Sequence, residues 1–256
     1  MPKKTKRILA ISSILIFIFL FLPGEFPDNS HLRDVLESVS QDKVVVIFNS
    51  GGWGDTPLEE ADDFRPIVNG IQETLNKLGY KSIVVPYKRT KNSFLGRIEG
   101  LRELFNSFKT QSTQLAKEIN YFLKDNPKNK IIMTGLSNGA AFVDKVMEKI
   151  QKEGGDKVFA IEVGVPFWEE SLNSQNIISL DNEGRDPLSR KKILVLISSL
   201  IKAPFRWGLA RISGVNLSFS RAFYLPGHQY CWDSPYIGPK ISSFLQEKFP
   251  SHNLKY

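Results

Sequence analysis

The sequence has little cysteine and little histidine. Its 256 residues include one cysteine and three histidines. A single cysteine, Cys231, excludes an intrachain disulfide, and no Cys/His cluster has the spacing of a zinc site. We expect Cys231 to be a partly buried packing residue, as free cysteines commonly are. Internal repeats and low-complexity tracts are also lacking, which argues against a repeat architecture.

A nucleic-acid-binding signature is lacking too. The net charge is +7 and the pI is about 9.3, but the basic residues are spread along the chain. Neither a basic helix nor a known nucleic-acid motif accompanies them, so we expect no nucleic-acid partner. The charge favours mild attraction to anionic surfaces such as lipid headgroups. With 41% hydrophobic and 24% charged residues, the composition is that of one globular domain behind an N-terminal extension.

Charge is absent from residues 8–22, ILAISSILIFIFLFL, which follow the basic segment MPKKTKR. Fifteen helical residues rise only ~22 Å, against ~30 Å of bilayer hydrocarbon. That length suits a signal-peptide core, but the following PGEFP lacks a small-x-small cleavage site. The sequence therefore predicts an N-terminal membrane segment, residues 1–27, that is either an uncleaved signal-anchor or a removed signal peptide. The domain of residues 28–256 is expected on the extracytoplasmic side, anchored or secreted.

Beyond this segment, strand and helix patterns alternate. Strands are predicted at residues 43–48, 81–86, 130–134, 157–165, 176–181 and 218–225. Helices are predicted at residues 64–78, 111–124, 140–150, 191–210 and 235–249, and an irregular loop at 87–100. This alternation predicts an α/β fold, with a mostly parallel sheet of about six strands and helices on both faces. Ligands of such sheets bind at the carboxyl ends of the strands.

The segment GLSNG, residues 135–139, joins a predicted buried strand directly to a predicted helix. It fits the G-x-S-x-G elbow, in which Ser137 stands at the apex of a sharp turn and the flanking glycines let strand and helix pass closely. The following helix N-terminus directs N–H groups and a positive dipole end at charge that forms beside the hydroxyl. Ser137 is therefore the candidate nucleophile, although an ordinary tight turn would use similar residues.

A serine nucleophile needs a base and a carboxylate that orients it. His31 precedes the first predicted core strand, and His252 lies in the C-terminal tail. His228 follows the last predicted strand. It is therefore expected at the carboxyl ends of the strands, the edge of the sheet that we call the rim, where Ser137 is also expected. For the acid we favour Asp186, because it lies several residues beyond its strand and could reach back. Asp181, at the strand end, is the alternative.

The oxyanion of an acyl-transfer intermediate also needs hydrogen-bond donors. One candidate is the backbone N–H of Asn138, next to the nucleophile. The second is expected from the glycine-rich loop NSGGWG after the first strand, from Gly51, Gly52 or Trp53.

The order Ser137, Asp186, His228, together with the segments GLSNGA, RDPLS and PGHQY, resembles the α/β-hydrolase superfamily over most of residues 43–249. The resemblance implies a serine hydrolase with acyl-enzyme chemistry and no cofactor. Two features depart from it: NSGG replaces the histidine-glycine start of many oxyanion loops, and the segment before residue 43 is short for extra antiparallel strands.

The substrate class is suggested by the apolar segment of residues 193–212. It is either a core helix or a lid-like helix that meets lipid headgroups. With the N-terminal segment, it favours a carboxylic ester or lipid-like substrate, and thus a membrane-anchored or exported carboxylesterase or lipase. Two alternatives stay open: a non-catalytic hydrolase-fold module that binds a partner at the membrane, and an acyltransferase that uses the same residues.

Overall fold

The computed structural model describes residues 21–152, 155–215, 225 and 227–251. Within them, the helices are α1 (Ser30–Ser38), α2 (Arg65–Lys77), α3 (Phe94–Phe105), α4 (Lys109–Asp125), α5 (Asn138–Gln151), α6 (Ile193–Ile212) and α7 (Ile237–Lys248). The strands are β1 (Val44–Asn49), β2 (Ser82–Pro86), β3 (Lys130–Leu136), β4 (Val158–Val163) and β5 (Ile177–Leu180).

The five described strands form one parallel sheet in the order β2-β1-β3-β4-β5. The predicted α/β class and parallel sheet are therefore correct. The sequence predicted about six strands; the sixth, residues 218–225, lies outside the described residues except for Leu225. The bounds of the other predicted strands shift by a few residues at most, as expected where a buried β-branched run defines the strand.

The sheet is covered on both faces, which is why its central strands are mostly apolar. All six residues of β1 are buried. Val45 and Ile47 pack in a cluster with α1, α4 and α5, whereas Val46 and Phe48 pack on the other face with α2 and α7. Full burial of each such side chain contributes roughly 1.5–3 kcal/mol, so a continuous apolar strand is a large part of the stability of the core.

One predicted loop is partly wrong. Residues 87–100 were expected to be irregular, yet α3 begins at Phe94. The side chain of Ser93 caps this helix by accepting a hydrogen bond from the Gly96 N–H at 3.0 Å, a common N-cap arrangement. Helix α1 was not predicted either; it is held by the buried Leu32 and Leu36, one turn apart.

The predicted membrane segment, residues 8–22, lies almost wholly outside the described residues. In the described part of the chain, no helix combines the length and the apolar character needed to cross a bilayer. Cys231, expected to be partly buried, is exposed.

Candidate active site

The loops after β1 and β3 leave the sheet in opposite directions. β1 and β3 are neighbours, but α2 packs on one face of the sheet and α5 on the other. A crevice therefore opens at the carboxyl ends of these two strands, where parallel sheets bind ligands. Ser137 lies at this point, between the end of β3 and the start of α5.

Ser137 is held in a backbone conformation that most residues avoid. Its φ is 53° and its ψ is −120°, a strained region that persists only where surrounding contacts enforce it. The Ser137 N–H donates to the Val163 carbonyl at 2.8 Å, and the Ser137 carbonyl accepts from the Ala141 N–H at 3.0 Å. Both peptide groups are thus fixed, and the half-buried side chain stands at the apex of the turn.

The flanking glycines are required by close backbone packing. A Cβ at position 135 would lie 2.4 Å from the Gly139 carbonyl, and a Cβ at position 139 would lie 2.4 Å from the Asn49 carbonyl oxygen. Side chains at either position would push the helix from the strand or from the β1 loop. The two glycines therefore seat α5 against the end of β1, as the sequence motif requires.

Asp186 is fully buried and accepts hydrogen bonds from four donors. His228 Nδ1 lies 2.8 Å from Oδ2, and the Tyr230 hydroxyl donates to the same oxygen at 2.6 Å. The Leu188 N–H donates to Oδ1 at 2.8 Å and the Ser189 hydroxyl to Oδ2 at 3.1 Å. Burial alone would raise the pKa of Asp186, but the His228 and Tyr230 interactions and the Leu188 N–H outweigh it and lower the pKa. The group is therefore a carboxylate near neutral pH.

Of the two candidate acids, Asp186 is the one that the structure pairs with His228. Asp181 instead forms an ion pair with Arg190 on the surface. The adjacent Asn182 holds the histidine loop, since its side-chain amide donates to the Gly227 carbonyl at 2.9 Å. The loop after β5 thus supplies both the carboxylate that contacts the imidazole and an anchor for the imidazole's own loop.

The glycine-rich loop is fixed through its carbonyl groups. Arg89 Nη2 donates to the carbonyls of Ser50 at 2.6 Å and Gly52 at 3.3 Å, and the Arg89 N–H donates to the Gly54 carbonyl at 2.9 Å. The Asn138 side chain donates to the Gly52 carbonyl at 3.3 Å. This last contact joins the residue after Ser137 to the loop that contains Gly51, Gly52 and Trp53.

The Arg89 side chain is itself buried. Its guanidinium lies over the Phe108 ring at 5.4 Å and the Phe142 ring at 6.0 Å. Burial lowers the pKa of Arg89 to about 10, which leaves the group charged at neutral pH. Arg89 therefore holds the loop with a charged donor, the stronger kind of hydrogen bond.

A cavity of about 230 Å³ opens beside Asn138. Gly52, Trp53 and Asn138 line it together with Leu101, Leu104 and Phe108. A larger depression, about 640 Å³, lies at the amino ends of β1 and β2, where Lys43 and Ser82 line it. Only the smaller of these two cavities reaches the rim that carries Ser137.

Comparison with known proteins gives a partial structural likeness. Neither a known protein family nor a curated protein sequence matches the chain. A Trichoderma reesei cutinase, solved in complex with a C11Y4 phosphonate inhibitor, is 14% identical over 63% of this chain and 78% of its own, with a TM-score of 0.40. A cutinase-like protein from a Cryptococcus species is 19% identical over 50% of this chain and 56% of its own, with a TM-score of 0.32. The chemistry that the site supports is therefore inferred from the geometry of the site itself.

Three contributors to the site have no counterpart among the sequence-based candidates. Tyr230, Asn182 and Arg89 act through contacts between segments distant in the chain, 44, 45 and 39 residues apart. No periodicity or motif marks such contacts. For Tyr230 alone a local signal exists: it lies two residues after the candidate base, within reach of the same carboxylate.

Proposed function

We propose that this chain is a serine hydrolase of the α/β-hydrolase superfamily that cleaves carboxylic esters through an acyl-enzyme. The observation that carries the proposal is the buried Asp186 carboxylate bound to His228 Nδ1 at 2.8 Å, on the rim where Ser137 stands at positive φ. A carboxylate on Nδ1 fixes the imidazole tautomer that leaves Nε2 free to accept a proton, which is the arrangement that a serine nucleophile requires.

In the proposed mechanism, the Ser137 hydroxyl attacks the ester carbonyl and transfers its proton to His228 Nε2. The alkoxide leaving group takes that proton as the acyl-enzyme forms. Water then attacks the acyl-enzyme with His228 as base, which releases the acid and regenerates the hydroxyl. Asp186 remains a carboxylate throughout and stabilises the imidazolium.

The oxyanion would be bound at the start of α5. The Asn138 N–H belongs to the first turn of that helix, where N–H groups are unpaired and the dipole favours negative charge. The second donor would come from Gly51, Gly52 or Trp53. Arg89 and the Asn138 side chain hold this loop, which supports a preorganised hole.

The acyl group would occupy the 230 Å³ cavity beside Asn138. Its volume lies below the ~300 Å³ at which sites for drug-sized ligands begin, and Leu101, Leu104 and Phe108 contribute apolar lining. We therefore expect short acyl chains. The predicted N-terminal segment would keep the enzyme on a membrane, or export it, with the domain on the extracytoplasmic side.

The test is hydrolysis of p-nitrophenyl esters of increasing acyl length by the full chain in detergent. Ser137→Ala should abolish turnover of every ester. Leu104→Trp should reduce turnover of the longer esters while acetate turnover is retained, because the larger ring fills the cavity. Phe105→Trp is the matched control, since Phe105 is exposed on the same helix. Folded wild-type protein without esterase activity would contradict the proposal and favour a binding module.

A further inference from the structure

Four large apolar side chains of helix α6 are exposed, among those whose burial the structure describes. At 3.6 residues per turn, Leu194, Phe205, Leu209 and Ile212 fall within about 60° of one another. Their exposures are 83%, 70%, 65% and 85%. On the opposite side of the helix, Ala203 is fully buried. In an ordinary surface helix, an apolar stripe of this kind would face the core. We call these four side chains the α6 stripe.

The charges of the chain segment that contains the α6 stripe have one sign. No aspartate or glutamate occurs between Asp186 and Asp233. The basic residues of the helix and its approach are Arg190, Lys191, Lys192, Lys202, Arg206 and Arg211. Lys202 is exposed beside the stripe, and the Arg211 guanidinium lies over the Trp207 ring at 5.3 Å. Trp207 and Arg211 lie on the far side of the helix from the stripe, so Lys202 is the cation next to it. An exposed apolar stripe with a cation beside it is the pattern of a helix that lies in a lipid interface.

The α6 stripe could contact either a second copy of the chain or a lipid bilayer, and the charges near it favour one of the two. A second copy of the chain, paired through the same stripe, would bring the Lys202 side chains of the two copies near one another, without carboxylates from this segment to neutralise them. An anionic bilayer accepts the apolar side chains and attracts the cations at once. The observations therefore favour lipid.

The position of the helix links such a surface to the candidate active site. α6 begins shortly after Asp186, and the connecting segment is tied by the Lys192 N–H, which donates to the Pro187 carbonyl at 3.0 Å. Exposed aromatic side chains occur on other rim loops, at Trp53 after β1 and at Trp168 after β4.

We propose that α6 is a membrane-docking helix that inserts the stripe into the surface of anionic phospholipid bilayers. The basic residues of α6 then contact the anionic headgroups. The edge of the sheet that carries Ser137 would face molecules held at the bilayer surface. This docking does not depend on the proposed hydrolysis.

The test places an environment-sensitive fluorophore on the stripe of the full chain. Cys231→Ser removes the exposed native thiol, and Leu209→Cys supplies the label site. Tyr121→Cys in the same background is the control, because Tyr121 is exposed on α4. Each labelled protein is mixed with phosphatidylcholine vesicles, with and without phosphatidylglycerol, and sedimentation establishes that protein is bound. Circular dichroism checks that each variant is folded.

We expect a blue shift for the label at position 209 on anionic vesicles, and none for the label at 121. The shift should weaken in 1 M salt, where the Debye length is about 3 Å, and in a Lys202→Glu/Arg211→Glu variant. An unshifted label at 209 on vesicle-bound protein would overturn the proposal, since the N-terminal segment alone would then hold the chain. An equal shift on neutral vesicles would overturn anionic recognition. A shift without vesicles that grows with protein concentration would assign the stripe to a second copy.

Discussion

Asp186 differs from Asp181 in what it contacts, although both follow β5. Asp186 receives four hydrogen bonds in a buried setting, whereas Asp181 pairs with Arg190 at the surface. A surface pair of this kind contributes at most about 1 kcal/mol to stability. The two residues therefore make a matched pair for mutation.

We expect Asp186→Asn to lower kcat by about 10³- to 10⁴-fold, because an amide at this position favours the wrong imidazole tautomer. Asp181→Asn should leave kcat within a few-fold of wild type. Steady-state kinetics on one ester, with circular dichroism to establish folding, measures both. Equal losses in the two variants would contradict the assigned roles.

Arg89 should act on catalysis through the loop that it holds. Lysine offers a compact charge without the guanidinium fork, so Arg89→Lys cannot keep both carbonyl contacts and the ring stacking. We expect kcat and kcat/KM to fall together, by up to about 10²-fold, because a donor displaced by about 1 Å stabilises the transition state poorly.

Arg33→Lys is the control for Arg89→Lys, since the exposed Arg33 pairs with Glu118 on α4 and not with the glycine-rich loop. It should behave as wild type. If Arg89→Lys is folded and keeps its kcat, Arg89 does not position the loop.

At the scale of elements, the junction of β1, β3 and α5 depends on the absence of side chains at two positions. Gly139→Ala would bring a Cβ to 2.4 Å from the Asn49 carbonyl oxygen and 2.6 Å from that of Ser50. We expect it to lower the free energy of unfolding by about 1–3 kcal/mol, as overpacking does.

Urea denaturation of Gly139→Ala and Gly208→Ala measures this difference. Around Gly208, in α6, an added Cβ would meet no atom within 4 Å, so Gly208→Ala should be neutral or stabilising by up to ~1 kcal/mol. Equal stabilities of the two variants would show that the junction relaxes freely.

β4 contains a buried acidic side chain, Glu162, whose charged form is disfavoured by its surroundings. Glu162 is fully buried and Oε1 has no partner among the described residues, while the Ser171 hydroxyl donates to Oε2 at 2.8 Å. Burial, and then the charge of Asp144, raise the pKa of Glu162 well above its usual value. The folded chain therefore keeps a proton that the unfolded chain releases, and stability falls as pH rises from the unfolded pKa to the folded one.

Glu162→Gln should remove this pH dependence, so its stability relative to wild type should rise with pH above about 4.3, the ordinary glutamate pKa. Urea denaturation at several pH values measures the trend. Glu60→Gln, at an exposed carboxyl, is the control for the substitution itself. A constant difference between Glu162→Gln and wild type would contradict the protonated state of Glu162.

The elements that the sequence predicted well are those whose pattern is local. The continuous apolar runs of β1, β3 and β4 mark buried strands by themselves, and α5 follows from the motif before it. α3 was missed because glycines and charged residues interrupt its apolar spacing. Its start signal, Ser93 as N-cap, is too common to be read without the structure.

For the molecule as a whole, the topology of a parallel sheet explains how the sequence pointed to the candidate residues. The carboxyl ends of parallel strands share one edge of the sheet, so the positions of Ser137, Asp186 and His228 relative to predicted strands predict that they lie at the same edge. The choice between Asp186 and Asp181, and the roles of Arg89 and Tyr230, depend on side-chain contacts across loops. Contacts of this kind produce no periodic pattern in the sequence.

The most direct measurement is the reaction of the full chain, in detergent, with a fluorophosphonate probe, followed by mass spectrometry of the labelled peptide. We expect one adduct on Ser137, none in Ser137→Ala, and much slower labelling in His228→Gln. Folded wild-type protein that is not labelled, or labelling that persists in Ser137→Ala, would contradict the assignment of Ser137 as an activated nucleophile.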